Sequence, residues 1–232
     1  MKTNKKIIAL LVAVMMMLLC ACGNNAATNN GGANDAATNN TTANQTTGDN
    51  AGDAAANTGD TGSTAPAEPA EFNGKLQGPF LMTTCGQSTG SVMCHMAAVQ
   101  AGLTSTDEHQ LLADEVATVG AGAKTLVVTT GTSGKGMGAA GTDVDDEIER
   151  CTAVIEAARE QGMLIAVAHI EGMSRRTDAN DQASIDAMLP LADVIVCVED
   201  SDSDGLFSTY AEENDIPIII VPDALSLSEY ME

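Results

Sequence analysis

The sequence has no Trp, and only 2 Tyr and 3 Phe among 232 residues. Such a chain lacks the side chains that most often anchor protein–protein hot spots or stack on bases. Positive charge is scarce too: 10 Lys+Arg stand against 32 Asp+Glu, a net charge of −22. That balance excludes sequence-independent contact with nucleic acid, which needs cations to meet phosphates, and a polybasic patch on anionic lipid. No Cys-x-x-Cys pair occurs, so neither a zinc motif nor a dithiol redox motif is indicated.

What is present falls into three unlike parts. Lys2, Lys5 and Lys6 form a basic start, followed by an apolar run from Ile7 to Leu19. That run fits a secretory h-region and is short for a bilayer span. Leu19-Cys20-Ala21-Cys22-Gly23 resembles the bacterial lipobox: Leu three residues before Cys22, small Ala before it, Gly after. The resemblance implies a lipoprotein signal peptide over residues 1–21, cleavage before Cys22, and lipid on that residue. The alternative is a plain secretory signal cleaved nearby. Both place the mature protein outside the cytoplasm, the first on the cell membrane. Removing residues 1–21 takes three Lys and no acid, leaving 7 cations against 32 acids.

Residues 24–71 contain no Val, Ile, Leu, Met, Phe, Tyr, Trp, Cys, Lys or Arg. Chain of this kind buries too little apolar area to offset its ordering entropy. The expected organisation is therefore a lipidated Cys22 and an Asn/Ala/Thr/Gly-rich tether over residues 22–71, then one globular domain over 72–232.

Within that domain, apolar runs alternate with amphipathic stretches. Strands are predicted at 79–84, 125–130, 163–169, 193–198 and 216–221, with a short one at 103–105. Helices are predicted at 89–101, 144–161, 179–189 and 205–214. The helix from Val144 shows the clearest period: Val144, Ile148, Cys151, Ile155 and Ala158 step along one face, with Asp143 as N-cap. Strands joined by helices imply one three-layer α/β/α sandwich with a mostly parallel sheet, flavodoxin-like or Rossmann-like. Ligands of such sheets sit beyond the carboxyl ends of the strands. That singles out the loops 85–90, 131–143, 170–178 and 199–204.

Several of these loops carry a family resemblance. Thr84-Cys85-Gly86-Gln87-Ser88, the Gly-rich run from Gly134 to Asp145, Arg175-Arg176 and Asp204-Gly205-Leu206-Phe207 are together similar to an uncharacterised family of bacterial extracytoplasmic domains, a domain of unknown function. The resemblance implies the α/β sandwich and the exported location. It implies no activity.

Three kinds of site are legible. The domain's seven cations include three in carboxyl-end loops: Lys135, Arg175 and Arg176. With Gly86, Gln87, Ser88, Gly134 and Gly136 they suggest a pocket for a small anionic solute, since Arg offers a planar fork and turn N–H groups point outward. A solute held there could be passed to a membrane transporter or reported to a sensor; pairing of the cations with nearby acids is the competing reading. The run around Lys135 is not a P-loop: Thr129 stands where the upstream Gly belongs, and Gly136 follows the Lys. Gly86-Gln87-Ser88-Thr89-Gly90 matches the Gly-x-Ser-x-Gly elbow, so the alternative function is a serine esterase or hydrolase using Ser88, Asp143 and His169. Against it, the hydroxyls of Ser88 and Thr89 suit a helix cap, and no His follows His169 to supply the late Asp-x-x-His of flavodoxin-like esterases. Finally, Asp200, Asp202 and Asp204 have the spacing of a calcium-loop opening, though Ala211 stands where a bidentate Glu is needed. A solvated acidic loop is the competing reading there. No other cofactor is indicated.

Overall fold

A computed structural model describes residues 71–232. The expected signal peptide, Cys22 and all but the last residue of the expected tether lie outside the described residues. Six parallel strands form one sheet: β1 Phe80–Cys85, β2 Ser105–Asp107, β3 Thr125–Thr130, β4 Leu164–His169, β5 Val194–Val198 and β6 Ile218–Val221. Their order is β2-β1-β3-β4-β5-β6. The helices are α1 Gly90–Gln100, α2 Val116–Val119, α3 Gly134–Ala140, α4 Val144–Glu160, α5 Ala179–Met188 and α6 Leu206–Glu213, with short 3-10 turns between them.

The strand order explains the layers. From β1 to β2 the chain moves one way across the sheet; every later crossover moves the other way. Right-handed crossovers therefore put α1 on one face and the later helices on the opposite face. Two cores result. Beneath α4, α5 and α6 lie Leu81, Val128, Ile155, Ile165, Ile185 and Phe207. Beneath α1 and the turn Ala224–Tyr230 lie Phe80, Met82, Val127, Val196 and Leu227. Strand residues contribute alternately to the two cores, as a sheet covered on both faces requires.

The three-layer sandwich agrees with the sequence expectation, and β3 has the bounds predicted for it. Other elements differ by a residue or two at their ends. The short second strand lies at Ser105–Asp107, just after its expected place. α3 was expected as loop. Its run of glycine and alanine carries no apolar period, and Ser133 starts it by accepting from Gly136 N. α4 begins as expected: Asp143 Oδ1 accepts from Asp145 N and Asp146 N at 3.0 and 3.1 Å.

Residues 230–232 return to the start of the domain. Leu76 N donates to Tyr230 O (2.8 Å), Glu232 N to Leu76 O (3.0 Å) and Gly78 N to Glu232 O (2.7 Å). Leu76 and Met231 are both buried and pair as an isolated parallel bridge. No helix among the described residues is long and apolar enough to cross a membrane.

Candidate functional site

The order of strands sets the switch point between β1 and β3, whose following loops diverge to opposite faces. These are the loops that carry Gly86-Gln87-Ser88 and Gly134-Lys135-Gly136, and they touch. Gln87 and Thr132 form an antiparallel bridge, and Ser133 N donates to Gly86 O at 2.7 Å. Gly86 has φ +123°, and a Cβ there would stand 2.7 Å from the Thr132 side chain. At Gly136 a Cβ would collide with Gln87 O. Both glycines thus allow two loops to meet rather than exposing N–H groups to a ligand. Gly134 opens on free space.

A buried ion pair holds this junction. Glu147 and Arg150 lie one turn apart on the inward side of α4, with side chains only 3% and 12% exposed. Arg150 Nη2 donates to Glu147 Oε2 at 2.7 Å and to Thr84 O at 2.6 Å. Its Nη1 reaches Leu111 O at 3.0 Å and Thr83 Oγ1 at 3.3 Å. The Glu147 carboxylate also accepts from Gly86 N and Gln87 Nε2, each at 3.1 Å. One pair therefore joins the end of β1, the 86–87 turn and the segment after β2. Gln87, in the left-handed region at φ 54°, is held there by these bonds and by a further one from Nε2 to His109 O.

α5 fixes the other loop. Ser184 Oγ accepts from Gly131 N at 2.8 Å. Asp181 Oδ1 accepts from Thr132 N (2.7 Å) and Oγ1 (2.8 Å), and Oδ2 from Thr177 N (2.9 Å). Burial alone would raise the Asp181 carboxyl; the bonds from Thr177 and Thr132 outweigh it and hold the group below its ordinary range.

The three loop cations have different surroundings. Arg176 is nearly buried and bidentate on Asp204, at 2.7 Å from Nη1 and from Nη2. It also donates to Ser201 O at 2.7 Å and lies 5.7 Å above the Phe207 ring. The hydrogen bond from Arg176 pulls the Asp204 carboxyl down to about 2. Arg175 is 29% exposed; its Nε donates to Glu171 Oε2 at 2.8 Å and its Nη1 to Thr132 O at 2.7 Å. Lys135 is exposed on α3 and makes no ion pair among the described residues. Arg175 and Lys135 thus flank the Thr132–Ser133 segment, while Arg176 is part of the frame. A separate shallow cavity of about 250 Å³, bordered by Met93, Ile170, Glu171, Asp200 and Asp223, opens beyond β4–β6. Its rim is acidic.

Ser88, Asp143 and His169 are not brought together. Ser88 is buried, with Oγ 3.2 Å from Thr84 Oγ1. Asp143 caps α4. His169 Nδ1 is 3.0 Å from Thr130 Oγ1 and Nε2 is 3.3 Å from Gly172 O, with the ring stacked on Phe207 at 5.2 Å. The physical reason is strand alternation. Thr84 shares the face of Phe80 and Met82, under α1, whereas His169 shares that of Ile165 and Val167, under the later helices. The sheet separates the serine's partner from the imidazole. Nor does the elbow cap α1: Thr89 is the N-cap residue and makes no side-chain cap bond.

The calcium-loop spacing fails for a similar reason. Asp200 Oδ2 accepts from Met173 N at 2.8 Å, Asp202 Oδ1 from Phe207 N at 2.8 Å, and Asp204 faces Arg176. The three carboxylates serve different donors, and no group of three metal-ligating side chains forms among the described residues. Cys85, Cys94, Cys151 and Cys197 are buried free thiols. Burial pushes Cys94 and Cys197 up to about 12, and Cys85 is raised by a hydrogen bond with Cys151 and by burial. Cys94 is therefore no activated thiol, and its neighbour His95 bonds Ser105 Oγ at 2.7 Å instead.

Glu147, Arg150, Asp181 and Ser184, which build the junction, are not among the site residues expected from the sequence. Glu147 had a signal: it lies four residues before Cys151 on the helix's inward stripe, where a carboxylate needs a partner.

Residues 77–232 match the family model described as Domain of unknown function (DUF6305). No curated protein matches the chain. Solved structures that match the chain include a GDSL-like lipase from Bacteroides thetaiotaomicron, at 11% identity and TM-score 0.34 over 66% of this chain and 71% of that one. Another is a proposed acylhydrolase from Bacteroides fragilis, at 10% identity and TM-score 0.33 over 67% and 71%.

Two outcomes test this geometry. Arg150→Ala leaves Glu147 buried and unpaired, so urea unfolding is expected to show a loss of about 3–5 kcal/mol; a loss under about 1 kcal/mol would contradict the assigned role. His169 is lowered to about 4, chiefly by burial, against about 6.5 unfolded. The unfolded chain therefore takes up a proton first as pH falls. Stability from this residue is complete above about pH 6.5 and lost down to about pH 4, amounting to about 3 kcal/mol. Urea melts at about pH 7 and pH 4.5 should show that slope in the wild type and a flatter one in His169→Gln; equal slopes would refute it.

Proposed function

We propose a solute-binding role for this chain, which belongs to the family of the domain of unknown function DUF6305. The proposed site is the rim of the β1/β3 switch point, and the ligand is a small anion or the anionic part of a metabolite. One observation carries the reading: Lys135 on α3 is exposed and makes no ion pair among the described residues, while Arg175, 29% exposed, turns one edge of its guanidinium to Thr132 O in the loop that leads into that helix. Two described lysines make no ion pair: Lys124 directly precedes β3, at the amino ends of the strands, whereas Lys135 lies beyond their carboxyl ends. The contacts of Gly86, Gln87 and Gly136 with the Thr132–Ser133 segment would support this rim, while Ser88 is engaged by Thr84 and Arg176 by Asp204.

We further read the domain as exported and held at the membrane by lipid on Cys22. It would pass its solute to a transporter or report it to a sensor. The lipobox-like Leu19-Cys20-Ala21-Cys22 supports the anchor.

Thermal melts of the full chain in detergent, with phosphate, sulfate and small carboxylates, test the site. A bound anion should raise the melting point by mass action, and Lys135→Glu should abolish the rise without lowering the ligand-free melt. A flat response to every anion, or a response unchanged in Lys135→Glu, would end the proposal. For the anchor, the expected result is partition of the wild-type protein into a detergent phase and of Cys22→Ala away from it. Equal partition would refute lipidation.

A further inference from the structure

The four described cysteines are buried free thiols, but two of them differ from the others in their company. Cys94 lies in the core under α1, on the other face of the sheet. Cys197 lies on β5, three strands from β1, which at about 4.8 Å per strand is roughly 14 Å from Cys85. Cys85, the last residue of β1, and Cys151 on α4 share one core. Backbone groups on both sides of Cys85 are bound to α4. Before it, Thr84 O accepts from Arg150 Nη2 at 2.6 Å and from Cys151 Sγ at 3.6 Å. After it, Gly86 N donates to Glu147 Oε2 at 3.1 Å. Residue 85 is thus pinned against the stretch of α4 that carries residues 147–151, and its thiol is in hydrogen-bond contact with that of Cys151.

We propose that Cys85 and Cys151 are a disulfide site, closed by thiol–disulfide exchange while the domain folds. Sulfurs already in contact have only to close to about 2 Å. Oxidation removes the proton that Cys151 gives to Thr84 O, but that carbonyl keeps Arg150, so no buried acceptor is stranded. The oxidant is an external disulfide, on a thiol oxidoreductase or a small molecule. The thiolate of one cysteine attacks one of its sulfurs and releases an external thiolate; the second cysteine attacks the mixed disulfide and releases the other. Two electrons pass to the external disulfide, and the two cysteine protons pass through solvent to the departing thiolates. Timing follows from burial. Both thiols are fully enclosed in the closed domain, and the contact and burial raise Cys85 there, so neither access nor thiolate is at hand. Exchange belongs to the chain that is still open. Its occurrence in the cell rests on the exported location read above, since thiols stay reduced in the cytosol. The bond ties the end of β1 to α4 beside the Glu147–Arg150 pair and constrains the unfolded chain by closing a long loop. Cys94 and Cys197, without such a partner, fill space as small apolar side chains.

Refolding of the full chain tests the site apart from its location. The chain is unfolded in urea with reductant, refolded in mixed reduced and oxidised glutathione, blocked with iodoacetamide and cut with trypsin. Cleavage after Lys75, Lys124, Arg150 and Arg159 releases Cys151 on residues 151–159, and Cys85 with Cys94 on residues 76–124. Mass spectrometry should find these two peptides joined by a bond that reductant breaks, in the wild type and in Cys94→Ser, and not joined in Cys85→Ser. Alkylated Cys151 in the refolded wild type, or peptides still joined in Cys85→Ser, overturns the proposal. The same map of protein taken from the envelope of the producing cells tests the location. Joined peptides there uphold the site and the export together. A bond that forms in glutathione but is missing in the cell upholds the site and counts against the export.

Discussion

The contact between Glu147 and Arg150 is the constraint on which the rest of the carboxyl end depends. A carboxylate and a guanidinium taken this far from water are tolerated only when every remaining donor and acceptor is matched. Here the matching partners are backbone groups of three separate segments: the end of β1, the turn at Gly86, and the stretch through Leu111. Desolvation is thereby converted into geometry. The turn after β1 cannot move without stranding a charge, and the loop after β3 rests on that turn through Gln87 and Gly136.

The same economy of positive charge runs through the domain. Among the described residues, ion pairs take Lys75, Arg150, Arg159, Arg175 and Arg176. Acids without a cation turn to backbone N–H groups instead: Asp143 and Asp178 at the starts of α4 and α5, Asp202 ahead of α6, and Asp223 ahead of the final turn. Each sits where a helix start presents unsatisfied donors and the positive end of its dipole. Four of the acids are thus used locally to start helices rather than to pair with cations.

The fold was legible because its signals are local. The run Thr125–Thr130 and the stripe Cys151, Ile155, Ala158 each state their element within one window. The candidate site was less legible because its pairings are distant in sequence. Nothing near Arg176 announces Asp204, and nothing near Thr132 announces Asp181. Apparent motifs suffered from the same limit. The spacing of Gly-x-Ser-x-Gly describes a turn, but Ser88 bonds Thr84 on one face of the sheet, and His169 bonds Thr130 and Gly172 on the side of the other. α3 was missed for the opposite reason: its glycines read as loop, while contact with Gln87 and the Ser133 cap make them helix.

The return of residues 230–232 to Leu76 and Gly78 joins positions as far as 156 apart in the chain, Leu76 and Glu232. The buried Leu76 is covered only once Met231 has arrived beside it. A chain emerging segment by segment from a narrow channel would therefore expose the base of its first strand until residues 230–232 had followed. Cover for the base of β1 thus waits on passage of residues 230–232. For the export proposed above, that order of events would let the polypeptide cross a membrane unfolded and close on the far side.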